Sequence, residues 1–224
     1  MDPIAELAAA SLAFVGTHLA LSHPLRAPLV ARLGEKGFLP VYSLVAFATL
    51  GWMILAFRAA PTADLPGSGE IGWIASTLLT IPALLLFLGS LRNNPALPAP
   101  GAIAAAAREP AGVFAVTRHP MMWGFALWAL SHIVLWWSVR TLIVAAAVLV
   151  LALVGAHMQD RKKEALLGAE WTAWEAKTSY WPRWGKLPGA GLVLWAITLA
   201  LWLVVTWSHI HAAGVPAGVW RWVG

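Results

Sequence analysis

Two histidines, His119 and His132, stand thirteen residues apart in TRHPMMWGFALWALSH (117–132), a stretch otherwise suited to lipid. An imidazole nitrogen can ligate a metal or haem iron, carry a proton near neutral pH, or hydrogen-bond a neighbouring helix. Inside a membrane helix an ionisable group is costly, so it suggests a site or a polar pathway. His132 falls well into its span, on a face with Phe125, Trp128, Ala129 and Trp136 at helical spacings. An aromatic wall with one nitrogen donor suits a flat macrocycle or a conjugated chain; the competing reading is an interhelical hydrogen bond to Ser or Thr. His119 precedes Pro120, which suits a first helical turn because its missing N–H would be unpaired there anyway. Together Arg118 and His119 either grip an anion or mark the interface, where basic residues are ordinary.

Three further histidines bear on the same chemistry. His18, in FVGTHLALSHPLR, lies about one turn before the end of the first apolar segment. It reads as a ligand or as an interfacial histidine bonded to a nearby carbonyl. His157 closes the fifth segment and is an alternate ligand, while His23 reads as a loop residue. His209 and His211, at the far end of the last segment, read as surface groups distant from the rest. Depth separates the strongest pair: at a rise of about 1.5 Å per residue, His132 lies roughly 20 Å from the start of its helix and His18 about 6 Å from the end of its own. Pairing them requires tilted or offset helices, whereas His18 with His157 or His119 is the easier geometry. The chain has no cysteine, which excludes disulfides, thiolate ligands, iron–sulfur clusters and covalent c-type haem. Any metal must use His, Met or oxygen ligands.

The elements that position these groups are membrane helices. Of 224 residues 60% are hydrophobic, 11% are charged and 15 are tryptophan, far from the composition of a soluble domain. Six segments, near 5–22, 38–58, 71–90, 119–137, 139–157 and 189–209, are long enough for a hydrocarbon core of about 30 Å. The expected fold is an all-α polytopic bundle of about six transmembrane helices, one domain over 1–224. The fourth and fifth spans form a tight hairpin around Ser138, Val139 and Arg140. Twelve of the fifteen Lys and Arg residues fall in alternate connections, and only Arg58, Arg140 and Arg221 fall on the other side. This asymmetry makes the first side cytoplasmic and puts both termini outside. It also accounts for the formal charge of +5; no basic patch interleaved with aromatics reads as a nucleic-acid site. Acidic Asp2 and Glu6 replace a basic leader region, so the first segment reads as a retained helix. The connector 92–112 is long and rich in Pro, Gly and Ala, a candidate to fold over a site. Met158–Lys177 mixes charge with Leu166, Leu167, Trp171 and Trp174, the pattern of an interfacial helix between the fifth and sixth spans. Trp181 and Trp184 then anchor the last span.

THLALSHPLR with GEKGFLPVYSLVA, then TRHPMMWGFALWALSHI, then GAHMQDRKKEALLGAEWTAWEAKTSYWP resemble, in that order, the NnrU family over almost the whole chain. That family is linked to nitrite and nitric oxide reduction in denitrifying bacteria and is similar to 15-cis-zeta-carotene isomerase, a membrane haem b enzyme. The resemblance implies haem b, a bacterial inner-membrane location, and haem-ligand histidines at His18 and His132, beside Trp128 and Trp136. The isomerase has a cysteine three residues before its second histidine; Ala129 stands here, so thiol-dependent ligand exchange is absent. His119 and Asp160–Arg161 also match, without a role. TRHPMMWG followed by GAEWTAWEAKTSYWP is also similar to isoprenylcysteine and phospholipid methyltransferases. That likeness implies S-adenosylmethionine near Arg118, His119, Gly124 and Glu164, although the usual Tyr after RHP and an adjacent Glu pair are missing.

Three functions follow as expectations. In the first, haem b acts on a lipophilic cis-polyene drawn from membrane lipid, isomerising a double bond without net oxidation. In the second, a methyltransferase holds S-adenosylmethionine under the 92–112 connector. In the third, a non-enzymatic membrane factor supports maturation of denitrification reductases and has one of those proteins as a partner.

Overall fold

The computed structural model describes residues 1–97 and 101–223; residues 98–100 of the long connector lie outside the described residues, as does residue 224. Every regular element among the described residues is helical: α1 Pro3–Ser22, α2 Arg26–Ala59, α3 Gly69–Gly89, α4 Ala102–Ala106, α5 Val113–Val116, α6 Pro120–Leu135, α7 Val139–Leu167, α8 Ala169–Lys177, α9 Leu192–Ala213 and α10 Trp220–Val223, with a 3₁₀ segment at Trp184–Ala190. Five of these, α1, α2, α3, α7 and α9, are long and apolar enough to cross a membrane. The sixth expected span, α6, is apolar but has only 16 residues. It covers about 24 Å, somewhat short of a bilayer core. The chain is a multi-pass membrane protein.

Local sequence explains where the helices begin and end. Asp2 caps α1 by accepting from the Ala5 N–H at 2.9 Å, with Pro3 in the first turn. Ser138 caps α7, its hydroxyl accepting from the Thr141 N–H. Trp136 adopts the left-handed region, φ 44°, and stops α6. The aromatic face expected around His132 is kept in part, the Trp128 ring lying 4.3 Å from that of His132. Trp136 has left the helix, and Ala129 is wholly buried while Phe125 and Trp128 point outward. Helical structure in α2 starts at Arg26, well before the expected span, and Gly34 at φ 68° breaks it into two pieces.

The helix expected between the fifth and sixth spans is present as α8, shorter than the expected Met158–Lys177. The chain continues α7 to Leu167 without interruption, turns at Gly168 with φ 55°, and only then forms α8. With 29 residues α7 is about 43 Å long, so its last three turns project beyond the apolar part at 139–156. Residue Asp160 therefore stands outside the span, and that projection is what brings it to the site.

The long helices pack as a row in the order α2, α1, α7, α6, α3, α9. A row leaves most of each helix facing outward, which is why at most a third of any long span's apolar window is buried. The closest approach is between α3 and α6, where a Cβ on Gly124 would stand 2.8 Å from the Ala83 carbonyl oxygen and 3.1 Å from the Phe87 nitrogen. Small residues let membrane helices meet this closely. One apolar cluster joins Leu7 and Ala10 of α1 to Met53, Ala56 and Ala60, with Ile143 and Val144 of α7 against it. A larger one lies at the other end, where Leu86, Val116, Trp123, Trp171 and Trp174 bind α5 and α8 to the row. That end carries the twelve basic residues and is the basic end below.

Candidate functional site

The site grows from a short backbone pairing. The Arg118 N–H donates to the Ser179 carbonyl at 2.8 Å, and the Arg183 N–H donates to Val116 at 2.8 Å. The Thr117 hydroxyl donates to the Tyr180 carbonyl at 2.7 Å, and the Trp123 indole N–H donates to the same oxygen at 2.8 Å. Residues 116–118 are thus held by 179–183, and the Tyr180 hydroxyl anchors that segment to Leu153 of α7 at 2.9 Å. Sequence reading took this segment as a membrane anchor. Its structural part is to set the RHP turn against α7.

With the turn fixed, its side chains meet Asp160. The Arg118 guanidinium donates to both carboxylate oxygens, Nε at 2.9 and 3.0 Å and Nη2 at 2.6 Å. His119 donates from Nε2 to Oδ1 at 2.7 Å, its side chain wholly buried. Charge-assisted, two-pronged contacts of this kind are the strong ones. Burial alone would raise the Asp160 carboxyl; the hydrogen bonds from His119 and Arg118 outweigh it and hold that carboxyl below the usual range. Arg118 also reaches Glu175 at 3.2 Å. Burial pushes the Glu175 carboxyl up despite Arg118, and the neighbouring carboxylates Asp160 and Glu164 act in the same direction.

Two spaces adjoin this cluster. An open cleft of about 530 Å³ is lined by Arg118, His157, Asp160, Arg161, Glu164 and Glu175. On the other side of His119 is a void of about 10 Å³, room for one water, lined by Asn94, Ala96, Leu97 and Gln159 among others. His119 Nδ1 has no partner among the described residues. Gln159 donates to the Ala96 carbonyl at 2.8 Å and Lys163 to Leu97 at 3.3 Å, so residues 94–97 of the long connector do close over the site.

Of the residues expected to act together, the structure joins Arg118 and His119 and places His157 at the rim of their cleft. It does not join His18 to His132. His18 lies near the basic end of α1, its Nδ1 donating to Phe14 at 2.8 Å and its ring 5.7 Å from that of Tyr42. His132 lies near the opposite end of α6, its Nδ1 donating to Trp128 at 2.8 Å and its ring 4.3 Å from that indole. The two rings differ by roughly 10–15 Å in depth. Since a carbonyl only accepts, each Nδ1 carries the proton of its hydrogen bond, and Nε2 takes no part in that bond. Trp136, 48% exposed, is outside the helix, and Gly124 lies in the α3–α6 contact.

Sequence reading missed Glu175 and Tyr180. Glu164 and Glu175, on either side of the Gly168 turn, line the same cleft. The model of the NnrU protein family matches residues 6–217. No curated protein and no solved structure matches the chain.

Proposed function

The chain belongs to the NnrU protein family, and from its geometry we propose that this membrane protein binds a small zwitterionic molecule of the S-adenosylmethionine type in the cleft at its basic end. One observation carries the reading: Glu164 and Glu175 face each other in the same open cleft as Arg118 and Arg161. Paired carboxyls suit an ammonium or sulfonium group, and guanidinium groups suit a carboxylate. Such a ligand supplies a methyl group for transfer. The chain's residues bind and orient it, Asp160 holding Arg118 at the cleft wall. His119, enclosed on both sides, is a positioning residue for Asp160. Calorimetric titration of the detergent-purified chain with S-adenosylmethionine tests this: saturable binding weakened by Glu164→Gln supports it, and no heat above background overturns it.

A second reading retains haem b and cis–trans isomerisation of a lipophilic polyene. It is favoured by the Nδ1 hydrogen bonds, which leave Nε2 of His18 and of His132 available as ligand atoms. Their different depths do not fit one haem between them, so His132 is the single nitrogen this reading retains. The family's link to nitrite and nitric oxide reduction adds a third proposal, a denitrification protein as physical partner at the inner membrane. A pull-down that recovers no reductase subunit or maturation factor counts against it.

A further inference from the structure

Four basic side chains converge where the α1–α2 turn meets the projecting end of α7, at a place the Arg118–His119–Asp160 cluster does not use. His23 lies within charge range of Lys162, and Arg26 acts on both Lys162 and Lys163. Lys163 is only 7% exposed, and its ammonium meets one acceptor, the Leu97 carbonyl at 3.3 Å. A carbonyl lends a dipole and no countercharge, and two of the three ammonium donors have no partner among the described residues. Lys162, half-buried, makes no hydrogen bond or ion pair among the described residues. Glu35, more than half exposed, is held by Arg26 at 2.7 and 3.0 Å. Among the described residues neither lysine makes an ion pair with a carboxylate. Burial first, and then the charge of Arg26, keep both ammonium groups below their ordinary range.

Basic residues at this end of a membrane protein are ordinary when they stand in water. Here two are drawn in together beside a third cation, an arrangement that costs energy unless an anion completes it. Depth indicates the kind of anion. Lys162 lies six residues past the apolar part of α7, about 9 Å beyond the hydrocarbon edge, which is headgroup level. We propose that Arg26, Lys162 and Lys163, with His23 at the rim, bind the phosphate group of a net-negative ligand at the membrane surface.

The test titrates the full chain in detergent with short-chain phosphatidylglycerol, short-chain phosphatidylcholine or inorganic phosphate at constant ionic strength, following the unfolding temperature. The expected result is a saturable rise with phosphatidylglycerol and little with phosphatidylcholine. Apparent affinity should drop about five-fold in Lys162→Gln and again in Lys162→Gln/Lys163→Gln. Lys186→Gln, which removes the same charge from an exposed position at the same end, should behave as the parent protein. A lysine-dependent rise with inorganic phosphate alone supports the site and assigns it a soluble phosphate. The proposal is overturned if neither anion stabilises the chain, or if Lys186→Gln loses as much as Lys162→Gln. Should the double variant not fold, Lys162→Gln decides alone, since it removes no hydrogen bond.

Discussion

Nε2 of His119 lies 2.7 Å from Oδ1 of Asp160, across 41 residues of chain and between two helices, with both side chains withdrawn from water. Asp160 is also the acceptor for Arg118. One carboxylate therefore neutralises a guanidinium and fixes a buried imidazole.

Replacing Asp160 by Asn leaves Arg118 without its countercharge, and a single amide oxygen has to serve the donors of Arg118 and His119 that two carboxylate oxygens serve now. Breaking one partner of a buried pair costs about 3–5 kcal/mol. The expected outcome is a large drop in unfolding temperature in detergent for Asp160→Asn. A smaller drop is expected for Arg118→Lys, which keeps the charge and loses the two-pronged geometry. Equal, negligible changes in both variants would show that the cluster does not hold the fold together.

The same carboxyl sets an acid limit. Its folded-state pKa lies below the unfolded one, so the stability it contributes is complete above the ordinary aspartate range, about pH 4, and is lost as pH falls below that. Glu175 has the opposite sign. Its folded-state pKa is raised, so its cost to stability is present at neutral pH and is relieved as pH falls through that raised value. Unfolding temperature measured from pH 7 downward should hold or rise slightly and then fall below about pH 4. Glu175→Gln should remove the rise and leave the fall.

Glu164 and Arg161 are exposed, and their side chains are not used to hold the cluster together. Glu164→Gln and Arg161→Gln should therefore fold as the parent protein and weaken binding of a zwitterionic ligand. About tenfold each is the expected loss for one charge-assisted contact. Calorimetry and thermal unfolding on the same samples separate the two effects, and unchanged affinity in both variants would remove the cleft from consideration as the ligand site.

Gly124→Ala tests the α3–α6 contact. Its Cβ would meet backbone atoms of Ala83 and Phe87, which cannot rotate away, so the helices must part. A loss of about 1–3 kcal/mol is expected, in the range of overpacked cores. Ala at Gly155, where the space around the glycine is open, is the control and should cost little.

An oxidised and a reduced absorption spectrum decide the haem reading. A b-type spectrum in the parent protein should be lost in His132→Ala and kept in His18→Ala, because the two residues sit at different depths. Equal loss in both variants would mean that the helices shift to bring the pair together. A spectrum unchanged in both would remove the two histidines as ligands.

Much of the architecture was legible in the residues alone. Apolar runs, the biased placement of Arg and Lys, and the order of motifs were enough to read a polytopic all-α membrane protein of the NnrU family. These features are sums over contiguous residues, and the solvent preference of a segment does not depend on its neighbours. The 92–112 connector reads as a candidate to fold over a site, and its residues Ala96 and Leu97 lie against α7. What could not be read was who meets whom. His132 pairs with His18 in the motif resemblance, and packing sets the two at different depths. Glu175 was one charge in an amphipathic stretch, and it faces Glu164 only because Gly168 turns the chain after α7. Asp160 became the centre of the cluster because α7 is long enough to carry it past the bilayer core to Arg118 and His119. The membrane dictates the composition of each helix one segment at a time, whereas the site depends on the relative depth and rotation of separate helices, which only their packing decides.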